Sequence, residues 1–298
     1  MNIYDLIIVG GGASGMLCAI QAKKKGIKNI LVIEKNPYLG GALNLANYNI
    51  SSQKNITGQK YLKDLLEEYS KLNINTYCNT MVLNINDSGK VVCLNPQRGM
   101  EELSSKNIIL TNGAKEKGRN ALNMPGDRCA GVITLGTAKN ILNIDGVVPG
   151  KDIVIYGTEN LYIILEDLKN HNLNIKAIVC ENSTSDAIKT TNNIYENYKI
   201  TSILGFDRVN SIKISNGSDE KEIKCDTVIL ALGMLSDGLV SLRSNLALNP
   251  TTTGPKVDQN LETSRKNIFA CGNGIYIHNS IEEIETEVNK LIEYIISL

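Results

Sequence analysis

Residues 7–19 read IIVGGGASGMLCA. A strand of buried type, Leu6 to Val9, ends in Gly10-x-Gly12-x-x-Gly15 and passes straight into a helical pattern with Met16, Leu17, Ala19 and Ile20 on its inner side. Each glycine has a physical reason. The first lets the strand turn sharply, the second lets backbone approach a pyrophosphate, and the third lets the helix pack close to the strand. The helix start, with Ala13 and Ser14, offers unpaired N–H groups and the positive end of its dipole to an anion. Residues 29–34 (NILVIE) form a second buried strand, which closes a β-α-β unit within about thirty residues. Glu34 ends that strand, 24 residues after Gly10, where a carboxylate accepts hydrogen bonds from ribose hydroxyls. The spacing predicts a dinucleotide site.

Further along, a helix is expected from about 58 to 71. Residues 74–95 alternate in apolar character and read as a hairpin turning at Asp87-Ser88-Gly89. Residues 106–114 (KNIILTNGA) form a buried strand running into a glycine loop, and a helix is expected over 134–145. Buried strands return at 225–233 and 266–273, and the last helix carries Ile281, Ile284, Val288, Leu291 and Ile295 on one face.

Within this frame the β-α-β pattern starts again at 152–164 (DIVIYGTENLYII), with a strand, a helix over 159–170 and a strand over 175–181. Gly157 is kept, but Glu159 and Tyr162 stand where the second and third glycines belong. Glu181 lies 24 residues after Gly157, the same interval as in the first unit. A carboxylate facing a pyrophosphate at ~4 Å is repelled by about 4 kcal/mol per charge pair. That is comparable to the whole free energy of millimolar binding. Tyr162 is expected to add bulk between helix and strand. The second unit therefore reads as a retained scaffold without a phosphate cradle.

Composition narrows the function classes. Lys+Arg and Asp+Glu balance at 31 each, so the chain offers no basic field for nucleic acid or an anionic membrane. No apolar run approaches the roughly 18 residues of a membrane span. The seven cysteines stand singly, with no C-x-x-C, so neither a redox dithiol nor a metal site is written locally, and a reducing cytoplasm is expected.

Three more segments resemble the two-domain flavoproteins similar to thioredoxin reductase, the pyridine nucleotide-disulfide oxidoreductases. They are LGGAL (39–43), ILTNGA (109–114) and TSRKNIFACGN (263–273), in the family's order. The fold implied is α/β, with a Rossmann-like FAD-binding domain in two chain segments (1–148 and 225–298) and an inserted, shortened NAD(P)-binding-like βαβ domain (149–224). The resemblance implies FAD as cofactor. It would be held by Gly10, Gly12, Ala13, Ser14, Gly15, Glu34, Lys35, Gly41, Ala42, Val82, Thr111, Asn112, Gly113, Gly272 and Asn273.

A closer likeness is to the FAD oxidoreductase encoded beside clostridial glycerol-3-phosphate dehydrogenase-like flavoproteins, and to the small subunits of opine oxidase and hydrogen cyanide synthase. Those relatives carry Cys and His where this chain has Ala46 and Tyr48, and a further His at Tyr276. Chemistry tied to those positions is not carried over. In the layout of the wider family Cys129 and Cys271 lie near the flavin, but without a neighbouring thiol neither is expected to cycle. His278 is the one candidate proton donor, with a histidine satisfied by its surroundings as the plain alternative. Arg119 and Lys117, in the connection between domains, are candidates to meet an anionic substrate or the partner, with a solvated loop as the default for both.

The expected function is an FAD-dependent oxidoreductase, an electron-transferring subunit that works with another redox protein, in the context of glycerol-3-phosphate oxidation and without NAD(P). Two readings stay open beside it: an NADH-dependent flavin reductase with atypical nicotinamide binding, and a non-catalytic FAD-holding subunit. Oligomeric state is left open.

Overall fold

A computed structural model describes residues 3–182 and 193–298. The chain divides into two compact units, residues 1–115 with 235–298, and residues 116–234.

The first unit opens with β1 (Ile3–Val9), α1 (Ala13–Lys24) and β2 (Ile30–Ile33), followed by α2 (Gly58–Lys71), β3 (Asn75–Tyr77), β4 (Met81–Ile85), β5 (Val91–Asn95) and β6 (Gly99–Leu110). Its sheet runs β3-β2-β1-β6-β5-β4. The β1, β2, β3 and β6 pairings are parallel, whereas β4, β5 and β6 form an antiparallel meander. Leu6 to Val9 and Ile30 to Ile33 are buried on both faces, as continuous apolar strands in a parallel sheet must be. Each such side chain contributes about 1.5–3 kcal/mol of transfer free energy. The stretch expected as one hairpin arm from 74 is divided. Asn75–Tyr77 joins the parallel sheet beside β2, and Asn79, at φ 49°, breaks the strand before β4. The expected turn is present between β4 and β5.

The second unit follows, with β7 (Ala114–Glu116) carrying the chain into it. It contains β8 (Val132–Thr134), α3 (Leu135–Asn143), β9 (Asp152–Tyr156), α4 (Tyr162–Asn170), β10 (Asn174–Cys180), β11 (Ile194–Glu196), β12 (Lys199–Gly205), β13 (Val209–Ser215), β14 (Glu220–Lys224) and β15 (Thr227–Leu230). A parallel five-stranded sheet runs β11-β10-β9-β15-β8, and β12-β13-β14 form an antiparallel sheet of their own. The unit is larger than the expected 149–224. β8 pairs with β15, and β15 with β9, so 116–148 and 225–234 belong to it. A strand's place is decided by its hydrogen-bonded neighbour, which chain order does not reveal.

The chain returns through β16 (Met234–Ser236), α5 (Leu239–Arg243), β17 (Ile268–Ala270) and α6 (Ile281–Ser297). β17 pairs parallel with β6. The face of α6 read from the sequence is buried in the core that also takes up α1. Among the described residues no helix is long and apolar enough to cross a membrane.

Candidate functional site: the nucleotide cradle of the first unit

The cradle lies at the carboxyl ends of β1, β2, β6 and β17, where ligands bind in open α/β sheets. Gly10 has φ +113°, and a Cβ there would stand 2.4 Å from the carbonyl oxygen of Thr111. Only glycine turns the chain at this place. Gly15 packs so closely that a Cβ would lie 1.9 Å from the Gly10 carbonyl oxygen. Gly12 differs, because its missing Cβ faces open space, with only the Cα of Gly41 at 3.9 Å. Helix α1 begins right behind, at Ala13, with Gly12 as N-cap, no side-chain cap and no acidic residue in its first turn. The N–H groups of Ala13, Ser14 and Gly15 precede the first helical bond, from Met16 N to Gly12 O at 3.0 Å. This is an open, uncapped anion site, and a pyrophosphate fits it.

The remaining candidates gather around it. Glu34 is 5% exposed, and its carboxylate accepts from the N–H of Gly11 at 2.7 Å and of Asn36 at 2.8 Å. Gly40 N donates to Gly11 O at 2.8 Å, which brings Gly41 and Ala42 beside the first loop. Thr80 N donates to Glu34 O at 2.9 Å, which leads the chain past Lys35 to the buried Val82. The Thr111 hydroxyl donates to the carbonyls of Val9 and Gly10, and Asn112 and Gly113 lie beside Gly274. Gly272 meets α1, since a Cβ there would be 1.9 Å from Ser14 Oγ. The structure thus gathers the expected residues of the glycine loops, Glu34, Thr111 to Gly113, Gly272 and Asn273 at the carboxyl ends of β1, β2, β6 and β17, with Lys35 next in the chain after Glu34, whereas Val82 lies within β4, at the end of the strand order away from β3. Ala46 is buried and faces Gly58, where a Cβ would lie 2.3 Å from that of Ala46, so any side chain at 58 would collide with it.

Asn273 is held from behind. Its Oδ1 accepts from the His278 backbone N–H at 3.0 Å and lies 3.0 Å from Nδ1 of the His278 ring. With the amide oxygen as acceptor, Nδ1 carries the hydrogen. The amide N–H2 is left as a donor on the cradle side. Nε2 of His278 lies 3.3 Å from Glu287 Oε2, and Glu287 Oε1 accepts from Gly272 N–H. Tyr276 stacks on the His278 ring at 4.1 Å. The His278 side chain is 1% exposed, so both ring nitrogens meet partners inside the chain. Glu287 was not legible as part of the site, because nothing local marks a polar residue on a core helix as a partner of a strand end, and position 276 was marked only by the His of the relatives.

The second unit shows what a cradle looks like when closed. Gly157 still turns the chain, at φ +92° with the Ala231 carbonyl oxygen 2.2 Å from where a Cβ would sit. Glu159 donates its N–H to Ala231 O at 3.0 Å, and its side chain lies along Gly233. A tight turn follows. Leu161 N, Ile163 N and Ile164 N bond to the carbonyls of Thr158, Asn160 and Leu161. The expected helix start at 159 is therefore wrong: α4 begins at Tyr162, and the N–H groups of Leu161, Ile163 and Ile164 are taken up inside the turn. The late start also turns Tyr162 outward, 64% exposed, so it is not the expected wedge, and Leu161 and Ile164 fill the core. The Glu181 carboxylate accepts from the Tyr156 hydroxyl at 2.5 Å, and burial, with this hydrogen bond second, holds the Tyr156 phenol well above its ordinary range. Arg119 is half-buried and tied to the chain. It donates to the carbonyls of Asp127 and Gly126, at 2.6 and 3.1 Å.

Comparison with known proteins agrees with this geometry. A family model described as pyridine nucleotide-disulphide oxidoreductase matches residues 4–161 and 167–289. An alkyl hydroperoxide reductase component of Staphylococcus aureus is 26% identical over 284 residues, covering 90% of this chain and 54% of that protein. The chain thus spans about half the length of that relative. A ferredoxin–NADP reductase from Picrophilus torridus is 26% identical over 296 residues, covering 91% of this chain and 86% of the other. Among solved structures, thioredoxin reductase from T. acidophilum superposes with a TM-score of 0.77 at 20% identity, covering 100% of this chain and 99% of that one. L-proline dehydrogenase from P. horikoshii gives a TM-score of 0.77 at 19% identity, covering 99% and 55%. The chain belongs to the pyridine nucleotide-disulphide oxidoreductase family, a family of FAD-dependent oxidoreductases.

Proposed function

We propose that this chain holds one FAD in its first unit and works as an FAD-dependent oxidoreductase that exchanges electrons with another redox protein. The contrast between the two cradles carries this reading: open and uncapped behind Gly12, closed by its own turn behind Gly157. When bound, FAD supplies an acceptor and donor of electrons at its flavin ring. The chain's own residues bind and orient it. The N–H groups at 13–15 take the pyrophosphate, Glu34 the ribose, and the N–H2 of Asn273 a ribityl hydroxyl. Tyr276, His278 and Glu287 fix Asn273. His278 is retained as a candidate proton donor, with positioning of Asn273 as its first role.

Two relatives support the partner: one is named as a component of a larger reductase, and the other names ferredoxin. The likeness of the C-terminal motif to glycerol-3-phosphate dehydrogenase-associated, opine oxidase and hydrogen cyanide synthase proteins narrows the context to oxidation of a small metabolite in the cytoplasm. A second reading, reduction by NADH or NADPH at the second unit, is favoured by the relative whose name includes NADP and by the persistence of Gly157 with Glu181.

Anaerobic mixing of the flavin-loaded chain with NADH, NADPH and reduced ferredoxin in turn separates the two. We expect bleaching of the flavin by reduced ferredoxin and none within minutes by either pyridine nucleotide. Fast bleaching by a pyridine nucleotide alone overturns the partner reading in favour of the second.

A further inference from the structure

Two cysteines that stand far apart in the sequence meet in the first unit. Cys18 lies on the second turn of α1, and Cys271 directly follows β17. Both are 0% exposed, and their Sγ atoms are 3.5 Å apart in a thiol–thiol hydrogen bond. The sequence-based expectation that Cys271 has no neighbouring thiol is thereby corrected. The separation of 253 residues hid the pair.

The position is informative. Cys18 sits behind Gly15 on the phosphate-binding helix, and Cys271 precedes Gly272 and Asn273. These two segments already touch through Ser14 and Gly272. A disulfide has an S–S length of about 2.0 Å, so closing the bond asks for roughly 1.5 Å of approach between segments in contact. No metal explains the pair, since among the described residues no group of His, Cys, Asp and Glu could hold one. The Cys271 thiol is held well above its ordinary range by the hydrogen bond with Cys18, by burial and by the Glu287 charge. A thiol that keeps its proton is a poor first nucleophile.

We propose that Cys18 and Cys271 form a redox modification site, a buried dithiol that hydrogen peroxide closes to a disulfide, stapling the phosphate-binding helix to the strand end that carries Asn273. The Cys18 sulfur attacks one peroxide oxygen, the O–O bond breaks, and the departing hydroxide takes the Cys18 proton to leave as water. Cys18 is left as a sulfenic acid. Cys271 then attacks the Cys18 sulfur, the S–O bond breaks, and the hydroxyl leaves as a second water with the Cys271 proton. In sum two thiols lose two electrons and two protons, and one peroxide becomes two waters.

The test uses the full chain, reduced, in flavin-loaded and flavin-free form. Each sample is treated with hydrogen peroxide, alkylated in denaturant, digested and mapped by mass spectrometry. We expect the peptides containing residues 18 and 271 to be recovered joined, lighter by two hydrogens and separable by dithiothreitol, in both samples. In Cys271→Ala, dimedone should trap a sulfenic acid at Cys18. Recovery of both wild-type cysteines as alkylated thiols, as sulfinic or sulfonic acids, or linked to other cysteines overturns the proposal. The wild-type map needs no variant to fold. The flavin-free arm keeps the result separate from the flavin reading.

Discussion

Gly12 and Gly15 belong to one motif but answer to different forces. A side chain at 12 would enter the open cradle, and a side chain at 15 would strike the Gly10 carbonyl. Gly12→Val is therefore expected to fold with a stability change within about 1 kcal/mol, yet to purify with less than roughly a tenth of the wild-type flavin. Gly15→Val should be far less stable. Flavin absorbance beside a thermal melt checks both. His278 gives a second test at this scale. If it positions Asn273, His278→Ala loses a hydrogen bond of about 1–1.5 kcal/mol, so FAD affinity falls roughly tenfold while turnover of the loaded protein is kept. Loss of turnover at unchanged affinity would make it the proton donor instead. The glycines and Glu34 were legible because a strand, a turn and a helix start are local. The Tyr276–His278–Glu287 support and the Cys18–Cys271 pair were not, because each joins segments whose meeting is decided by packing.

At the scale of elements, α3 and α4 are joined by a buried ion pair, Lys139 with Asp167, at 2% and 5% side-chain exposure. Lys139 also donates to Ile163 O at 2.7 Å, and Asn143 to the same carboxylate at 3.2 Å. Removing one charge strands the other in the core, so Lys139→Met is expected to cost about 3–5 kcal/mol, and Lys139→Met with Asp167→Leu to recover most of it. Denaturant midpoints of the singles and the double measure this. A different contact ties the 49–57 loop to α6. The Ser51 hydroxyl and the Ser52 N–H donate to Glu282, and the Ser51 bond is the main reason its carboxyl is pushed down to about 2. A folded-state pKa below the unfolded value means that the contribution is full above the ordinary carboxylate range. It erodes as pH falls and is gone below about 2. Pepsin cleavage in residues 51–56 should accelerate between pH 4 and pH 2 in the wild type, and Glu282→Gln should flatten that dependence. Periodicity revealed α6 and its buried face. It did not reveal the late start of α4, because Leu161 and Tyr162 are both apolar enough to begin a helix and only the turn decides which faces the core.

The whole molecule repeats one architecture twice and opens only the first copy. Both units keep a parallel sheet, a glycine turn after a buried strand and a carboxylate at the end of the next. The division between them was read only in outline, because β8 and β15 take their place from strand pairing and not from chain order. On this reading the chain holds one dinucleotide and not two. Calorimetric titration of the flavin-free chain with FAD, followed by titration of the loaded chain with NADH and NADPH, tests it most directly. We expect one FAD per chain and no saturable heat with either pyridine nucleotide up to millimolar concentration. A second saturable site for NADH or NADPH, lost when Gly157 is replaced by Val, would contradict it.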